Sequence, residues 1–516
     1  MSGLEVVFFL LSLFLSLLFF LYGFNIYYLL NAGRHYKPPT LTGFHAELPP
    51  VSIQLPIYNE KYVVRRLVVA CAHMAEVYGK NKVRLIILDD SDDDTIQEVD
   101  NVVAEFDAQG FQIEVIRRTN RQGFKAGALQ AALEKTPEEY IAIFDADFRP
   151  PADYLNRILP YFVQDKHLGI VQGRWRHLNR DYNLITQAAA IAIDIHFIIE
   201  QPGRYAEGLF QNFNGSGGVL RKKAIQEAGG WQSDTLAEDL DLSYRMQLRG
   251  FGILYLKDLD CPAEIPPTIP SLKQQQGRWA CGSLQTAKKI LPDLLRKPEI
   301  DFKKRLQAFI HMTGYILGPL MTISFVLVSL ATFLNVDINY FSWTEIPSLS
   351  SGILQSTAAI AGFSVTRISW IIMFLLIVFC TIAPWVSSVS TLRFEKRPVS
   401  QELGSLLVLI LLGFGISLNT TLEAGKALFT NRTGEFTRTP KYADLQNKAA
   451  WQASSYQVAF KPISLLELAF AFVGTFAIGL AFRNGNILAL VILIPFTVSY
   501  FFVSIMTILQ TRTRTI

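Results

Sequence analysis

The chain has 516 residues and a net charge of +4, and 50% of its residues are hydrophobic whereas only 18% are charged. Because a soluble domain usually carries about 25% charged residues, this composition excludes a wholly soluble protein. The apolar residues concentrate at the N-terminus and after residue 305, and basic residues lie beside these apolar runs. That distribution is typical of anchoring to membrane lipids. No motif for binding nucleic acid is found, so we expect no nucleic-acid partner.

An apolar run over residues 6–30 predicts an N-terminal membrane helix, because about 20 apolar residues cross a bilayer. A signal peptide is the alternative, but a basic segment before the run and a cleavage site after it are both missing. Arg34 and Lys37 follow the run, and the positive-inside rule places what comes next in the cytoplasm. We therefore predict a membrane helix at residues 1–33 and a cytosolic domain at residues 34–284.

Between residues 51 and about 260, apolar segments typical of strands alternate with helical segments. The predicted strands are 51–57, 83–88, 111–116 and 140–144. This alternation predicts an α/β domain with a mostly parallel sheet, in which ligands bind outside the carboxyl ends of the strands. Asp89 and Asp90 follow the second strand, and Asp145 and Asp147 follow the fourth. Both acidic clusters are therefore expected at that edge of the sheet.

The cysteines show no metal-ligand spacing, and we expect reduced, packed thiols, as in a domain that faces the cytosol. They are Cys71, Cys261, Cys281 and Cys380.

The C-terminal part predicts a membrane bundle preceded by a surface helix. Residues 285–305 carry seven Lys and Arg among apolar residues, which is typical of a helix lying in the cytoplasmic interface. Residues 337–367 are expected to form an external loop, and residues 483–486 a tight outer turn. Membrane spans are predicted at 306–334, with a bend near Gly318 and Pro319, and at 368–392, 463–482 and 487–509.

Residues 402–425 allow two interpretations. If 406–418 crosses the bilayer, the segment 420–461 is external, and the sequons at Asn419 and Asn431 become possible glycan acceptors. If it lies in the inner interface, that segment and its lysines are cytoplasmic, which satisfies the positive-inside rule better. We favour the interfacial interpretation.

Carboxylates at strand ends have two possible roles. Asp145 and Asp147 could form a simple strand-to-loop turn, or they could hold Mg or Mn through oxygen ligands and neutralise a diphosphate. Asp89 and Asp90 could belong to a solvated acidic loop, or they could hold the base or ribose of a nucleotide. Lys125 could face a phosphate at a helix start or be an exposed helix residue.

A third acidic cluster, Glu238 and Asp239, precedes a predicted helix. The pair could simply cap the helix and favour its dipole, or Asp239 could accept the proton of an attacking hydroxyl group. Arg278 could stabilise a diphosphate and Trp279 could offer an apolar face to a sugar ring, although an Arg–Trp pair is also common at surfaces and interfaces.

Taken in order, these motifs resemble the processive family-2 glycosyltransferases, which include the cellulose, chitin and hyaluronan synthases. The motifs are Asp89-Asp90, Asp145-x-Asp147, Ala237-Glu-Asp239 and Gln275-x-x-Arg278-Trp279. Longer stretches look most like the cellulose-synthase-like mannan and glucan synthase branch, and the likeness covers roughly residues 50–300. These stretches are residues 54–60, 144–148, 213–215 and 227–231.

The resemblance implies an inverting hexosyltransferase with a GT-A fold inserted in a membrane bundle. It implies Asp239 as catalytic base, Asp147 as metal ligand and Asp145 as a carboxylate of the donor site that also serves the metal. Gln275 and Trp279 would bind the acceptor and Arg278 the diphosphate. Ala237 stands where many members have Thr. Residues 436–441 resemble a gating-loop motif, from which Arg438 departs because the family has Val there.

Two functions remain open on this evidence. The first is a membrane synthase that extends a β-linked glucan or mannan from UDP-glucose or GDP-mannose and translocates the chain. The second is a non-processive transferase that glycosylates a lipid such as a ceramide or polyprenyl phosphate. The sequence leaves the sugar, the linkage and the oligomeric state undetermined.

Overall fold

A computed structural model describes residues 3–41, 47–336, 357–430, 439, 441, 456 and 458–511. Its middle part is an α/β domain built on a seven-stranded sheet with the strand order β3-β2-β1-β4-β6-β5-β7. The strands are β1 (Val51–Ile57), β2 (Val83–Asp89), β3 (Gln112–Ile116), β4 (Tyr140–Ile143), β5 (Leu168–His177), β6 (Gly218–Arg221) and β7 (Gly252–Ala263). The four predicted strands are confirmed, and β1 to β4 pair in parallel as expected.

Helices cover both faces of the sheet, which explains why its inner strands read as continuous apolar runs. On one face lie α2 (Val64–Tyr78), α3 (Thr95–Ala108) and α5 (Tyr154–Gln164), and on the other α4 (Phe124–Lys135), α8 (Lys222–Glu227) and α9 (Glu238–Leu248). The strand order reverses between β1 and β4, and in such sheets this is the point where ligands bind.

Apolar helices flank the α/β domain at both ends of the chain. Five helical stretches in the described part are long and apolar enough to cross a membrane. They include α1 (Gly3–Ala32), α12 (Leu317–Phe333), α16 (Ile463–Arg483) and α17 (Ile487–Thr511). Four of the predicted spans are therefore found as apolar helices. The turn between α16 and α17 is also confirmed, with Gly485 at a φ of 65°.

The fifth stretch, residues Leu184–Ala206, comprises α6 (Leu184–Ile195), a π-helical turn (His196–Glu200) and α7 (Gln201–Ala206). The sequence analysis does not anticipate it. Its Asp194 is buried and pairs with Arg174 and His177 of β5. Its apolar residues Ile185 and Ala188 pack against Leu272, Val408 and Leu412. Its apolar composition therefore serves packing inside the protein, which is why hydropathy alone does not identify a span.

The break before α12 differs from the prediction. Helix α11 (Phe302–Met312) ends before a 3₁₀ turn at Gly314–Ile316, and α12 begins at Leu317. The chain therefore bends ahead of Gly318 and Pro319. Pro319 stands in the first turn of α12, where its missing N–H leaves no hydrogen bond unmade.

The predicted third span lies within α13 (Thr357–Phe394), whose side chains at residues 357–374 and 377 fall outside the described residues. The prediction of an external loop over residues 337–367 is wrong at its end, because the helix begins at Thr357. Residues 337–356 lie outside the described part.

The segment 285–305 is not one surface helix. Helix α10 runs without a break from Ile269 to Arg296, and α11 starts at Phe302. The predicted domain boundary at residue 284 therefore falls inside α10. Two basic residues of the segment 285–305 make ion pairs with the α/β domain, Lys289 with Asp241 and Lys303 with Glu207.

The ambiguous segment forms two short helices, α14 (Leu403–Gly415) and α15 (Ser417–Phe429), which meet at a bend of 42°. Both pack against elements of the α/β part, α14 on α6 and α15 on α10. Asn419 is buried and its Nδ2 donates to the Lys273 carbonyl oxygen at 3.0 Å, so its side chain is not available to a glycan. Asn431 lies outside the described residues.

All four cysteines are free. Cys71, Cys261 and Cys281 are buried, and Cys380 is half-buried.

Candidate active site

The carboxyl ends of β1, β2, β4, β5 and β7 meet at one edge of the sheet, because these strands run in the same direction. The loop before antiparallel β6 reaches the same edge. Helices α9 and α10 close the far side and leave an open cleft with an empty volume of about 1340 Å³. Eight of the nine predicted site residues line this cleft: Asp90, Lys125, Asp145, Asp147, Asp239, Gln275, Arg278 and Trp279.

The ninth, Asp89, lies outside the cleft. Its side chain is fully buried and accepts from Arg117 Nε at 2.8 Å and from the Ser91 backbone N–H at 3.1 Å. The structure thus places Asp89 under the loop that carries Asp90, and it does not support the predicted contact with the donor. Asp90 does face the cleft, and a two-pronged hydrogen bond from Arg118 holds its carboxylate.

Lys125 lies between two acidic groups at the floor of the cleft. Its ammonium group lies 2.5 Å from Asp145 and 3.9 Å from Glu238, and it donates to the Gly215 carbonyl oxygen at 2.9 Å. Burial acts to lower the pKa of Lys125, but these carboxylates outweigh it and raise the pKa above its usual value. Lys125 is therefore a charged group of the cleft and not an exposed helix residue.

Asp239 is the second residue of α9 and its carboxylate is held tightly. Its Oδ1 accepts from the Leu240 backbone N–H at 2.8 Å. On the other side, a Cβ added at Gly215 would stand 2.8 Å from Asp239 Oδ2, so any larger residue at this position would displace the carboxylate. Gly215 also has a φ of 80°, which favours glycine. The motif Phe213-Asn-Gly215 therefore shapes the pocket of Asp239.

The environment of Asp239 suits it to accept a proton near neutral pH. Burial, followed by the neighbouring charge of Glu238, raises the pKa of Asp239 to about 7, against an opposing effect of Lys125. A group whose pKa lies near the working pH transfers protons most effectively as a general base.

Helix α10 brings the fourth motif, Gln275-x-x-Arg278-Trp279, to the cleft. A Cβ at Gly282 would come within 2.7 Å of the Ala237 backbone nitrogen, and Gln285 Oε1 accepts from the Leu236 N–H at 2.9 Å. This close approach seats the start of α9 directly on α10. Gln275, Arg278 and Trp279 all line the cleft from α10. Burial lowers the pKa of Arg278 while the surrounding carboxylates oppose that change, and an arginine remains charged in either case.

Several cleft residues were missed by sequence reasoning. Trp175 and His177 end β5, where alternation along the strand points both side chains to one face, and Trp175 Nε1 donates to the Ser216 carbonyl oxygen at 3.0 Å. At the other end of the cleft, the Arg121 guanidinium group stacks on Tyr58 at 3.2 Å from the ring centre. Asn214 also lines the cleft. The end of β5 was the signal that could have identified Trp175 and His177.

The predicted gating-loop motif reaches the cleft at two described positions. Thr439 and Lys441 line it, and the Lys441 ammonium group lies 2.5 Å from Asp147 Oδ2. Residues 436–438 and 440 of that motif lie outside the described residues.

The residues present fit a divalent cation that is shared with a ligand. Within the described ranges, no group of three or more acidic, His or Cys side chains forms a complete metal site. Asp145 and Asp147 nevertheless offer carboxylate oxygens to the same cleft. Mg²⁺ typically uses one or two carboxylates together with phosphate oxygens of its substrate and water, which is the donor set available here.

Comparisons with known proteins identify the family of this chain. The family model described as "Glycosyltransferase like family 2" matches residues 49–282. A probable glucomannan 4-beta-mannosyltransferase 9 of Oryza sativa subsp. japonica is 32% identical over 392 residues, which cover 74% of each chain. A probable glucomannan 4-beta-mannosyltransferase 10 of Arabidopsis thaliana is 30% identical over 374 residues, or 70% of this chain and 67% of the relative.

Among solved structures, a mannosyltransferase from Pyrobaculum calidifontis in complex with GDP-Man and Mn2+ aligns with 74% of this chain and 99% of its own, with a TM-score of 0.48 and 18% identity. A likeness of that size carries no argument about activity.

The family match and these two plant relatives confirm the resemblance to family-2 glycosyltransferases and the use of a nucleotide-sugar donor. The GT-A-like mixed sheet is also confirmed, and the apolar helices are consistent with a membrane protein. The chain belongs to the family-2 glycosyltransferases, in the cellulose-synthase-like branch of the mannan synthases, and is a hexosyltransferase that makes a β-linked polysaccharide.

Proposed function

We propose that this chain transfers mannosyl residues from GDP-mannose, with inversion, to the 4-hydroxyl group of a growing β-linked mannan or glucomannan and translocates the product through its own membrane bundle. The relatives that align with two thirds or more of their length are named mannosyltransferases, which favours GDP-mannose over UDP-glucose as the donor. The single observation that carries the reaction is the convergence of Asp239, Asp147 and Arg278 on one cleft.

Each group of cleft residues has its own role in the transfer. Asp239 removes the proton from the acceptor hydroxyl group as that oxygen attacks the anomeric carbon, and the bond from this carbon to the diphosphate breaks. Arg278 and Lys125 bind the negative charge that develops on the leaving GDP. A divalent cation held by Asp147 and Asp145 would supply further neutralisation of the diphosphate, and either Mg or Mn meets this need. Gln275 and Trp279 orient the acceptor sugar.

The proposed orientation places the catalytic domain in the cytosol. Arg34 and Lys37 follow α1, and Arg397 follows α13 and contacts Asp181 of the catalytic domain at 3.6 Å. Basic residues thus accumulate where the apolar helices meet this domain, as the positive-inside rule requires for a cytosolic side.

We place α14 and α15 in the inner interface. Each has 13 residues and hence a length of about 20 Å, short of the roughly 30 Å hydrocarbon core. The two are long enough to cross only when taken together across their bend of 42°. Arg180 of the catalytic domain pairs with Glu402 before α14, at 2.9 Å, and Asn419 of α15 bonds to α10. A segment that contacts the catalytic domain along both halves is better accommodated beside it than across the bilayer.

A donor panel tests the proposal. Purified protein in detergent is given GDP-mannose, UDP-glucose and GDP-glucose in turn, and nucleotide release and product length are measured. We expect release from GDP-mannose, dependent on a divalent cation and abolished by EDTA, with a ladder of β-linked products. A single lipid-linked sugar would instead support the alternative of a ceramide or polyprenyl phosphate acceptor.

The Asp239→Asn variant tests the assignment of the base. We expect transfer to be lost while GDP binding, measured by calorimetry, stays close to that of the wild type. Turnover at the wild-type rate in this variant would remove the proposed mechanism.

A further inference from the structure

A buried ion pair joins the catalytic helix α10 to the membrane helix α16. Lys273 Nζ lies 2.7 Å from Glu467 Oε2, and their side chains are 5% and 0% exposed. The same ammonium group donates to Ser464 Oγ at 3.2 Å. Removing one partner of such a pair leaves an uncompensated buried charge, which is strongly unfavourable. The pair therefore fixes one relative placement of the two helices, where a purely apolar contact could slide.

Further hydrogen bonds hold the same end of α10. Asn419 of α15 donates to the Lys273 carbonyl oxygen at 3.0 Å, and the Ile269 N–H donates to Gln510 of α17 at 2.8 Å. The start of α10 is thus attached to three helices of the membrane region. Gln275, which belongs to the acceptor motif, follows Lys273 by two residues, and Trp279 stands about 9 Å along the helix axis, at about 1.5 Å per residue.

The catalytic base and the donor-binding groups of the sheet edge depend on other contacts. The position of Asp239 is fixed by Gly215 and by the packing of Ala237 on Gly282. Gly282 lies some two turns beyond Lys273 on α10. Asp145 and Lys125 belong to the sheet edge and to α4. A shift at the start of α10 therefore moves Gln275 and Trp279, together with Arg278 between them, more than it moves the donor-binding groups of the sheet edge. Because Arg278 binds the leaving diphosphate whether a glycan or water attacks, its movement affects both reactions, and their ratio still measures the alignment of the acceptor.

We propose that Lys273 and Glu467 are positioning residues that fix the acceptor-binding face of α10 against the membrane bundle, so that a glycan rather than water receives the transferred sugar. This inference rests on the proposed polysaccharide synthase function. A displacement of about 1 Å can lower a rate on the order of 100-fold, so loosening this attachment reduces transfer to the glycan, while water, which needs no such alignment, still reacts with the donor.

The experiment measures the ratio of sugar incorporated into glycan to free sugar released from labelled GDP-mannose. The variants are Lys273→Met and Glu467→Gln, together with Glu467→Asp and the exchanged double variant Lys273→Glu with Glu467→Lys. The matched control is Arg180→Met, because Arg180 and Glu402 form another buried ion pair between the catalytic domain and the membrane region, and neither residue belongs to α10. Thermal stability in detergent is recorded for every variant.

We expect the ratio to fall about 10-fold or more in the single variants, to recover at least in part in the exchanged variant, and to stay at the wild-type value in Arg180→Met even if its stability drops. A wild-type ratio in a single variant that still releases GDP, or an equal fall in the control, would overturn the proposal. If Lys273→Met and Glu467→Gln are not recovered as folded protein, the test uses Glu467→Asp and the exchanged variant. A fall of the ratio in Glu467→Asp with recovery in the exchanged variant then supports the proposal, and a wild-type ratio in Glu467→Asp overturns it. A wild-type protein that releases no GDP would instead reject the proposed donor, and the ratio is then measured with the donor that the panel identifies.

Discussion

Replacing Gly215 by Ala perturbs the catalytic base through a single methyl group. The new Cβ would stand 2.8 Å from Asp239 Oδ2 and 3.4 Å from Lys125 Nζ. Because a carbon and an oxygen in contact normally stand at least about 3.3 Å apart, the carboxylate must shift by roughly half an ångström. A misplacement of about 1 Å can cost on the order of 100-fold, so we expect kcat to fall about 10-fold. This corresponds to about 1.4 kcal/mol in the activation free energy.

The φ of 80° at Gly215 adds a strain of about 1–2 kcal/mol for any other residue, which must be separated from the effect on the base. Gly208→Ala is the matched control, since Gly208 has a φ of 60° and nothing within 4 Å of its added Cβ. Both variants should lose similar thermal stability, whereas only Gly215→Ala should lose kcat in a GDP-release assay. A folded Gly215→Ala protein with wild-type kcat, or an equal loss in Gly208→Ala, would refute the reasoning.

Two further predictions concern the charges of the cleft. Since Asp239 must be ionised to accept a proton and its pKa is about 7, kcat/KM should fall about tenfold per pH unit below that value and level off above it. The pH of the inflection should fall in Glu238→Gln, which removes a repelling charge, and rise in Lys125→Met, which removes an attracting one. An inflection that stays at the same pH in both variants would contradict the assignment of Asp239 as the base. Asp89→Asn should lower the free energy of unfolding by about 1–3 kcal/mol without raising the KM for the donor, whereas Asp90→Asn should raise that KM. The reverse pattern would show that Asp89, and not Asp90, binds the donor.

Much of the fold follows from patterns that short-range physics sets. Apolar strands that run directly into Asp90 and Asp145 predict both the sheet and the edge at which these side chains meet, because parallel strands end together. Apolar runs of sufficient length likewise predict α1, α16 and α17 as membrane helices.

Other features depend on long-range contacts that the sequence does not display. Asp89 and Asp90 are adjacent in the chain but meet different arginines, and only the packing of the following loop decides which of them faces the cleft. Helix α10 was placed too late because its first turns carry polar residues such as Lys273, whose partner Glu467 comes from the membrane helix α16. The apolar stretch that begins at Leu184 packs inside the protein, and composition does not distinguish this from contact with lipid.

The most direct test of the account is an experimental structure of the membrane-embedded enzyme with bound GDP-mannose and a divalent cation. The account predicts the diphosphate between Asp147 and Arg278, and the anomeric carbon facing Asp239 with room for one acceptor oxygen between them. A donor bound on another surface, or an anomeric carbon turned away from Asp239, would contradict it.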